Sequence, residues 1–197
     1  YKWDTIKALE LIQAEKVTSL SSVPAIVQDL LANPAFDDFE TGSLIRVTGA
    51  GAATPAGMPE LIKEKCGNPS RSAGYGMTET LAVGGTMSGC IYDMKPDASG
   101  LISPIMDMRM VDASGVTLPS GQPGEIELSG ITCTPGYWQK PDANAATFVD
   151  QRWMKSGDIG YIDEDGFLHI TGRIKEIVIR GGENIYPGEI ESAAFGM

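Results

Sequence analysis

The chain has 197 residues, of which 42% are hydrophobic and 21% are charged, and its formal net charge is −11. This composition excludes a disordered chain, and the acidic balance argues against a nucleic-acid-binding protein, which needs a basic face. No apolar run approaches the roughly 20 residues of a membrane span, so we expect no transmembrane segment. The three cysteines (Cys66, Cys90 and Cys133) have no CxxC spacing, which indicates reduced thiols in a cytoplasmic protein.

The sequence begins at Tyr1, with neither a Met nor a charged-then-apolar leader. We therefore expect no targeting segment in these residues and a natural start farther upstream.

The first part of the chain alternates helical and extended patterns. Apolar residues at helical spacing predict a helix from Trp3 to Val17 with Asp4 as its cap, and Val17–Leu20 is a strand candidate. A second helix is predicted to open at Pro24 and to close at Asn33-Pro34.

The same alternation continues downstream. Leu44–Thr48 is a buried-strand candidate, and the glycine- and alanine-rich loop 49–53 follows it. Thr54-Pro55 then predicts a helix that runs to Cys66 and ends at Gly67. This rhythm predicts an α/β layer with a parallel sheet, which we assign to residues 1–97.

Short strands separated by turns predict a β-rich subdomain over residues 98–173, arranged as a small barrel or sandwich. The strand candidates are Met106–Asp112, Gly124–Ser129, Ile159–Ile162 and Phe167–Thr171. Ile174–Arg180 is predicted as one more strand and Gly181-Gly182 as a kink. Pro187 then opens a helix, and residues 174–197 form the last predicted domain.

The turn Gly49-Ala50-Gly51 follows a strand and precedes a helix, which is part of a dinucleotide-binding fingerprint. Thr54 stands where the third glycine belongs, and Asn68–Arg71 offers no strand ending in an acid. A simple tight turn is therefore an equal alternative, and a nicotinamide oxidoreductase is disfavoured.

The segment Gly74–Thr80 carries more chemistry. Gly74 and Gly76 flank Tyr75, so the backbone can approach a ligand on either side of a ring that can stack on a base. Thr78 offers a hydroxyl to a phosphate, and Glu79 offers a hard oxygen to Mg²⁺. The alternative for this segment is a polar surface turn.

Asp158 precedes one predicted strand and Arg173 follows its hairpin partner, so we expect the two side chains at the same end of the hairpin. The carboxylate could accept hydrogen bonds from two ribose hydroxyls, and the guanidinium could hold a sugar or a phosphate. A salt bridge that closes the hairpin is the competing interpretation. For His169, the only histidine, we expect a solvent-side strand position.

Four blocks, in order along nearly the whole chain, resemble the adenylate-forming superfamily and its acyl-CoA synthetases in particular. Tyr75–Thr80 resembles the family's YGMTE motif, and Ser156-Gly157-Asp158 resembles its (S/T)GD motif. The other two blocks are Gly124–Gly130 with Gly136-Tyr137-Trp138, and the hinge-like run Gly172–Pro187.

The resemblance implies the fold of the late N-terminal domain, a hinge and the start of an α+β lid. It implies a reaction with Mg-ATP, a carboxylic acid and CoA, in which an acyl-adenylate forms first and a thioester second. The partners are therefore small molecules, and homo-oligomerisation is left open. Small apolar residues after the Thr-Glu pair, residues 80–84, favour a fatty or aryl acid.

The resemblance also implies roles for individual residues. Thr78, Glu79 and Arg173 are expected to be catalytic, with Thr78 at the α-phosphate and Glu79 as the magnesium ligand. The other expected nucleotide and cofactor contacts are Gly49, Ala50, Gly74, Tyr75, Gly76, Asp158, Lys175 at the hinge and Gly182 beside the thioester tunnel.

The sequence also departs from the family pattern. It contains neither the Ser/Thr/Gly-rich phosphate loop with its lysine nor the late catalytic lysine, so we expect a fragment that is inactive alone. An amino-acid adenylation domain, a luciferase-like enzyme and an inactive nucleotide-binding fragment are the remaining alternatives. Met77 and the run Arg180–Asn184 favour the CoA ligase over the adenylation domain.

Overall fold

A computed structural model describes residues 2–49, 51, 57–67, 72–150, 152–176, 178–180 and 183–185. The chain divides into two compact units, Tyr1–Ser70 and Arg71–Met197. The predicted boundary between residues 97 and 98 falls inside the second unit, and it stays a prediction.

The first unit is the predicted α/β layer. Its elements are α1 (Thr5–Glu15), β1 (Ser19–Ser22), α2 (Pro24–Leu31), a 3₁₀ helix (Pro34–Asp38), β2 (Arg46–Gly49) and α3 (Met58–Cys66). Strands β1 and β2 pair in parallel, with Ser19 opposite Arg46 and Ser22 opposite Gly49, as the βαβ rhythm predicts.

Local sequence signals set the ends of these helices. An Asp4 carboxylate oxygen accepts a hydrogen bond from the Lys7 amide at 3.0 Å and caps α1. Pro24 is the first residue of α2, and Gly67 closes α3 with a φ of 69°. The predicted start of α3 at Thr54-Pro55 lies outside the described residues.

The core of the first unit is apolar, and helices α1, α2 and α3 pack on the two strands through it. Its buried side chains are Leu9, Ile12, Val27, Leu30, Leu31, Phe36, Leu44, Val47, Met58 and Ile62.

The second unit contains an antiparallel sheet of eight strands. They are β3 (Ser72–Tyr75), β4 (Gly85–Ser88), β5 (Gly100–Ile102), β6 (Met106–Val111), β7 (Gly124–Gly130), β8 (Phe148–Val149), β9 (Trp153–Ile162) and β10 (Phe167–Arg173). Their order is β3-β4-β5-β10-β9-β7-β6, with β8 paired to β9. Within the described part of the chain no ladder joins β3 to β6, so the barrel-like closure stays a prediction.

The second unit also contains α4 (Cys90–Met94), α5 (Pro141–Thr147), and the short pair β11 (Val178–Arg180) and β12 (Glu183–Ile185). The predicted strand Ile174–Arg180 is wrong in its first half, because Ile174–Glu176 forms a 3₁₀ turn. The helix predicted from Pro187 lies outside the described residues, and the lid that it would begin stays a prediction.

Strands β6, β7 and β9 have one apolar and one polar face, as period-two alternation requires. On the apolar face, Met110, Ile126, Leu128 and Met154 are buried together. On the polar face, the buried Glu127 accepts a hydrogen bond from Arg109 Nε at 2.8 Å and forms an ion pair with the same guanidinium.

Strands β9 and β10 form the hairpin that carries Asp158 and Arg173. The register places His169 opposite Tyr161 and Arg173 opposite Asp158. At the tight turn, Asp163 Oδ1 accepts from the Phe167 amide at 2.9 Å, while its Oδ2 contacts Lys95 Nζ at 2.5 Å.

His169 lies near that turn and is mostly buried, with 14% of its side chain exposed, so the predicted solvent-side position is wrong. Its ring stacks on Tyr161 at a centroid distance of 4.7 Å, and its Nε2 lies 2.9 Å from Asp163. Nothing in this arrangement offers a nucleophile to the histidine.

No helix among the described residues is both long enough and apolar enough to cross a membrane.

Candidate functional site

The turn after β3 is closed so tightly that it needs glycine. A Cβ on Gly76 would lie 2.4 Å from the carbonyl carbon of Ala82, and one on Gly84 would lie 2.8 Å from the carbonyl oxygen of Tyr75. Both distances are shorter than real Cβ contacts, so a larger residue would force the backbone to move. The glycine after Tyr75 is therefore required by the fold of the turn.

A buried threonine supports the same turn from inside. Thr78–Thr80 forms a 3₁₀ turn, and the Thr80 hydroxyl donates to the Met77 carbonyl at 3.1 Å and accepts from the Met77 amide at 3.2 Å. Leu81 and Ala82 follow with φ values of 54° and 60°, in the left-handed region. Thr78, the first residue of this turn, is exposed.

Glu79 is held at both its side chain and its backbone. The Tyr137 hydroxyl donates to Glu79 Oε1 at 2.8 Å, and the Thr134 amide donates to the Glu79 carbonyl at 2.7 Å. The hydrogen bond to Glu79 raises the pKa of the Tyr137 hydroxyl above its ordinary value, because losing the proton would place two negative charges together.

Asp158 is the buried acid of the site, with 8% of its surface exposed. The Tyr75 hydroxyl donates to Asp158 Oδ2 at 2.7 Å, and Arg173 Nε donates to Oδ1 at 3.0 Å. The Asp158 amide donates to the Ser156 hydroxyl at 3.0 Å, which fixes the backbone at the start of the hairpin. The prediction that Asp158 and Arg173 lie together is confirmed, and the pair also forms the salt bridge of the competing interpretation.

The environments of Tyr75 and Arg173 differ. Burial is the main cause that raises the pKa of the Tyr75 hydroxyl, so it remains a protonated donor to Asp158. The Arg173 side chain is 63% exposed, so it can leave the carboxylate at little cost.

The remaining predicted site residues are distributed along both units. Gly49 ends β2 in the first unit, where a Cβ would lie 3.3 Å from Pro24 Cγ. Gly74 lies on β3, and Lys175 is exposed in the 3₁₀ turn after β10. Ala50 and Gly182 lie outside the described residues.

Two residues near the site carry no predicted role: Tyr137, which contacts Glu79, and Ser156, whose hydroxyl also donates to the Ile126 carbonyl at 2.7 Å. Both lie inside the motif blocks that carry the family resemblance. Their position in those blocks could have marked them as site residues, but it does not show which groups they hydrogen-bond.

The donor set fits a magnesium ion that is shared with phosphates. Among the described residues, no group of three or more His, Cys, Asp or Glu side chains could hold a metal ion. Mg²⁺ commonly takes one or two carboxylates and completes its shell with water and phosphate oxygens. The single carboxylate of Glu79, beside the exposed Thr78, suits that mode.

The Tyr75–Asp158 hydrogen bond joins the glycine-lined turn to the buried carboxylate of the hairpin, so the two form one candidate site. The family model described as AMP-binding enzyme matches residues 2–138. The chain belongs to the family of AMP-binding, adenylate-forming enzymes.

Individual relatives agree with this assignment. The chain is 33% identical over 194 residues to a feruloyl-CoA synthase of an Amycolatopsis species, covering 98% of this chain and 39% of that protein. An anthranilate CoA ligase solved with anthranoyl-AMP superposes with a TM-score of 0.83 at 28% identity, over 95% of this chain and 36% of its own. The O-succinylbenzoate coenzyme A synthetase of Bacillus subtilis, solved with ATP and magnesium ion, gives a TM-score of 0.78 at 30% identity, over 98% of this chain and 39% of its own.

The chain therefore spans less than half the length of the relatives that it matches. The likeness confirms the α/β fold class and places these residues in the N-terminal domain of the adenylate-forming fold.

Proposed function

We propose that this chain forms part of an AMP-forming carboxylate–CoA ligase, and that its second unit binds the ATP. In the first step, a carboxylate oxygen of the acid attacks the α-phosphorus of ATP. The bond to the β-phosphate breaks, and pyrophosphate leaves. In the second step, the CoA thiolate attacks the acyl carbon, and AMP leaves with the original carboxylate oxygen.

The observation that carries this proposal is the environment of Asp158. Its two oxygens point toward one tyrosine hydroxyl and one exposed arginine, at 2.7 and 3.0 Å. A buried carboxylate that already accepts hydrogen bonds at both oxygens is suited to accept them from the two hydroxyls of a ribose. Arg173 then turns from the carboxylate to the ribose or the phosphate, which its exposure allows.

The Thr78–Glu79 turn is proposed to bind the phosphate end. The Thr78 hydroxyl donates to an α-phosphate oxygen, and the Glu79 carboxylate holds Mg²⁺. When bound, the ion neutralises charge on the phosphates. Glu79 is suited to this role because its backbone and its carboxylate are both fixed by hydrogen bonds.

Adenine is proposed to lie against the Tyr75 ring, between the backbone at Gly74 and Gly76. Stacking on an aromatic face and close approach of the backbone both suit a flat base. Lys175 is proposed as the hinge position and Gly182 as the residue at the thioester tunnel.

The acid is proposed to be aryl or aliphatic. Leu81 is 74% exposed on the turn that follows Glu79, so an apolar side chain is available to a ligand next to the proposed phosphate contacts. The relatives described above are named for feruloyl, anthranilate and O-succinylbenzoate substrates, all of which are aromatic acids. We therefore rank aryl acids before fatty acids.

The test is acid-dependent exchange of labelled pyrophosphate into ATP by the complete natural protein that contains these residues. A panel of aryl, fatty and amino acids separates the CoA ligase from an amino-acid adenylation enzyme. We expect exchange with an aryl or fatty acid, and a fall of roughly 10²-fold or more in the Glu79→Gln variant, because the amide keeps the shape but loses the charge. Glu164→Gln, at the turn of the β9–β10 hairpin, is the matched control, and equal exchange by both variants would contradict the role of Glu79.

The proposal includes inactivity of the 197-residue chain by itself. Its sequence contains no Ser/Thr/Gly-rich loop with a lysine to hold the β- and γ-phosphates. Pyrophosphate release by the purified chain with ATP, magnesium and the acid panel should not exceed that of a Glu79→Gln, Asp158→Ala double variant.

A cytoplasmic location is also proposed, because the described cysteines are free thiols.

A further inference from the structure

The loop between β7 and α5 is tied to α5 at one residue, Tyr137. The Tyr137 amide donates to Asn144 Oδ1 at 2.7 Å, and Asn144 Nδ2 donates to the Tyr137 carbonyl at 3.0 Å. The preceding Gly136 has a φ of 149°, and a Cβ there would lie 3.2 Å from the Asn144 amide group. Glycine at this position therefore lets the asparagine reach both backbone groups of its partner.

The ring of Tyr137 is fixed as well as its backbone. It meets the Phe148 ring edge to face, at a centroid distance of 6.3 Å and an interplanar angle of 60°. The hydroxyl at the far end of this ring then lies 2.8 Å from Glu79 Oε1. A chain of contacts thus runs from α5 through Tyr137 to the carboxylate, across 58 residues of sequence.

Glu79 is held by the same loop a second time. The Thr134 amide donates to the Glu79 carbonyl at 2.7 Å, three residues before Tyr137. The bond from Thr134 fixes the backbone of Glu79, and the bond from Tyr137 fixes the rotation of its carboxylate.

We propose that Tyr137 is a positioning residue that orients the Glu79 carboxylate toward the magnesium ion, with Asn144 holding Tyr137 in place. The inference rests on the proposed function, in which Glu79 is the metal ligand. A hydroxyl bound to Oε1 sets the rotation of the carboxylate and directs Oε2 to the ion. Mg²⁺ demands near-ideal octahedral geometry, so a freely rotating carboxylate would be a poorer ligand.

The test is direct metal binding rather than turnover. Mn²⁺ replaces Mg²⁺, and its free concentration is followed by electron paramagnetic resonance in the complete natural protein with a non-hydrolysable ATP analogue. Loss of a hydrogen-bond partner of a ligating carboxylate typically weakens metal binding by roughly 10–100-fold. We expect Tyr137→Phe to raise the Mn²⁺ dissociation constant by about tenfold, and Asn144→Ala by a smaller factor because the hydroxyl is retained.

Three comparisons make the result specific. Tyr92→Phe, which removes a hydroxyl from α4, should leave Mn²⁺ binding unchanged. In a Glu79→Gln background, Tyr137→Phe should add no further weakening, since the carboxylate that it orients is gone. The thermal midpoint of each variant reports any general loss of structure.

The outcomes separate this inference from the proposed function. If Glu79→Gln weakens Mn²⁺ binding but Tyr137→Phe does not, the positioning role is overturned and the metal ligand stands. If neither variant changes Mn²⁺ binding, the metal assignment of Glu79 falls and the positioning role falls with it. An additive effect of Tyr137→Phe in the Glu79→Gln background would also overturn the positioning role.

Discussion

The two units of the chain bury different kinds of side chain. In the first unit, the described core consists of aliphatic and aromatic residues and methionine. The polar or charged residues that are buried as a whole in the described part of the chain are Thr80, Glu127, Ser129 and Asp158, and all four lie in the second unit. In the first unit, Ser43 buries its hydroxyl oxygen.

The difference matters because a buried polar group is costly unless it is hydrogen-bonded. Glu127 is paired with Arg109, Thr80 is bonded twice to Met77, and Asp158 is bonded to Tyr75 and Arg173. The Glu127 and Thr80 contacts stabilise the sheet and the turn. The Asp158 contacts hold a carboxylate at the end of the β9–β10 hairpin. We infer that the first unit is a scaffold and that the second bears the nucleotide chemistry.

The largest effect on ATP binding is expected from Asp158→Ala. Each hydrogen bond to a charged group contributes about 1.5–3 kcal/mol, so the loss of two ribose contacts should raise the ATP KM by at least about a hundredfold. The KM for the acid should change much less. Steady-state kinetics in the complete natural protein measures both.

Asp165→Ala is the matched control for that prediction, because Asp165 lies at the turn of the same hairpin and its side chain is 68% exposed. If the ATP KM of Asp158→Ala rose less than about threefold, the competing interpretation of a hairpin salt bridge would stand.

Leu30→Ala tests the inference that the first unit is a scaffold. Leu30 is fully buried in α2, and truncation of such a leucine costs about 2–5 kcal/mol. Amide hydrogen exchange in α2 and β2 should accelerate accordingly, while the ATP KM of the folded protein stays unchanged. A change in ATP KM as large as that of Asp158→Ala would contradict the separation of scaffold and site.

A smaller effect, on the pH dependence of stability, is expected from Asp163→Asn. Asp163 lies at the turn of the β9–β10 hairpin, where it contacts Lys95 and His169. Burial raises the pKa of Asp163, but hydrogen bonds from Lys95 and His169 outweigh it and hold the pKa below the ordinary value. A depressed pKa in the folded state stabilises the fold above the unfolded pKa, and this stabilisation is lost as the pH falls. The thermal midpoint of the wild-type protein should therefore drop between about pH 5 and pH 3 more steeply than that of Asp163→Asn.

Equal slopes for the two proteins would show that Asp163 contributes no pH-dependent stability. Asp112→Asn, at the β6 end, provides a comparison with a carboxylate that is also hydrogen-bonded but lies at another turn.

The sequence predicted those parts of the molecule that depend on local patterns. The pairing of Asp158 with Arg173 followed from two strands and the short turn between them, and the parallel pair β1–β2 followed from the alternation of helix and strand. The 3₁₀ turn at Ile174–Glu176 was missed because an isoleucine-rich run favours a strand unless its tertiary surroundings are known.

Contacts between distant segments could not be predicted in this way. The Tyr75–Asp158 bond joins residues 83 apart, and the Tyr137–Glu79 bond joins residues 58 apart. The family resemblance assigned a role to three of these four residues, but neither hydrogen bond is encoded in a spacing. In the sheet, β4, β5 and β10 lie between β3 and β9, so the Tyr75–Asp158 bond joins strands that are not neighbours.

The most direct measurement of the central claim follows an oxygen atom. The complete natural protein is supplied with ATP, CoA and an acid whose carboxylate carries heavy oxygen, and the AMP is analysed by mass spectrometry. Activation through an acyl-adenylate predicts one labelled oxygen in every AMP formed, with its amount reduced in Asp158→Ala and not in Asp165→Ala. AMP without label, formed together with thioester, would contradict the account.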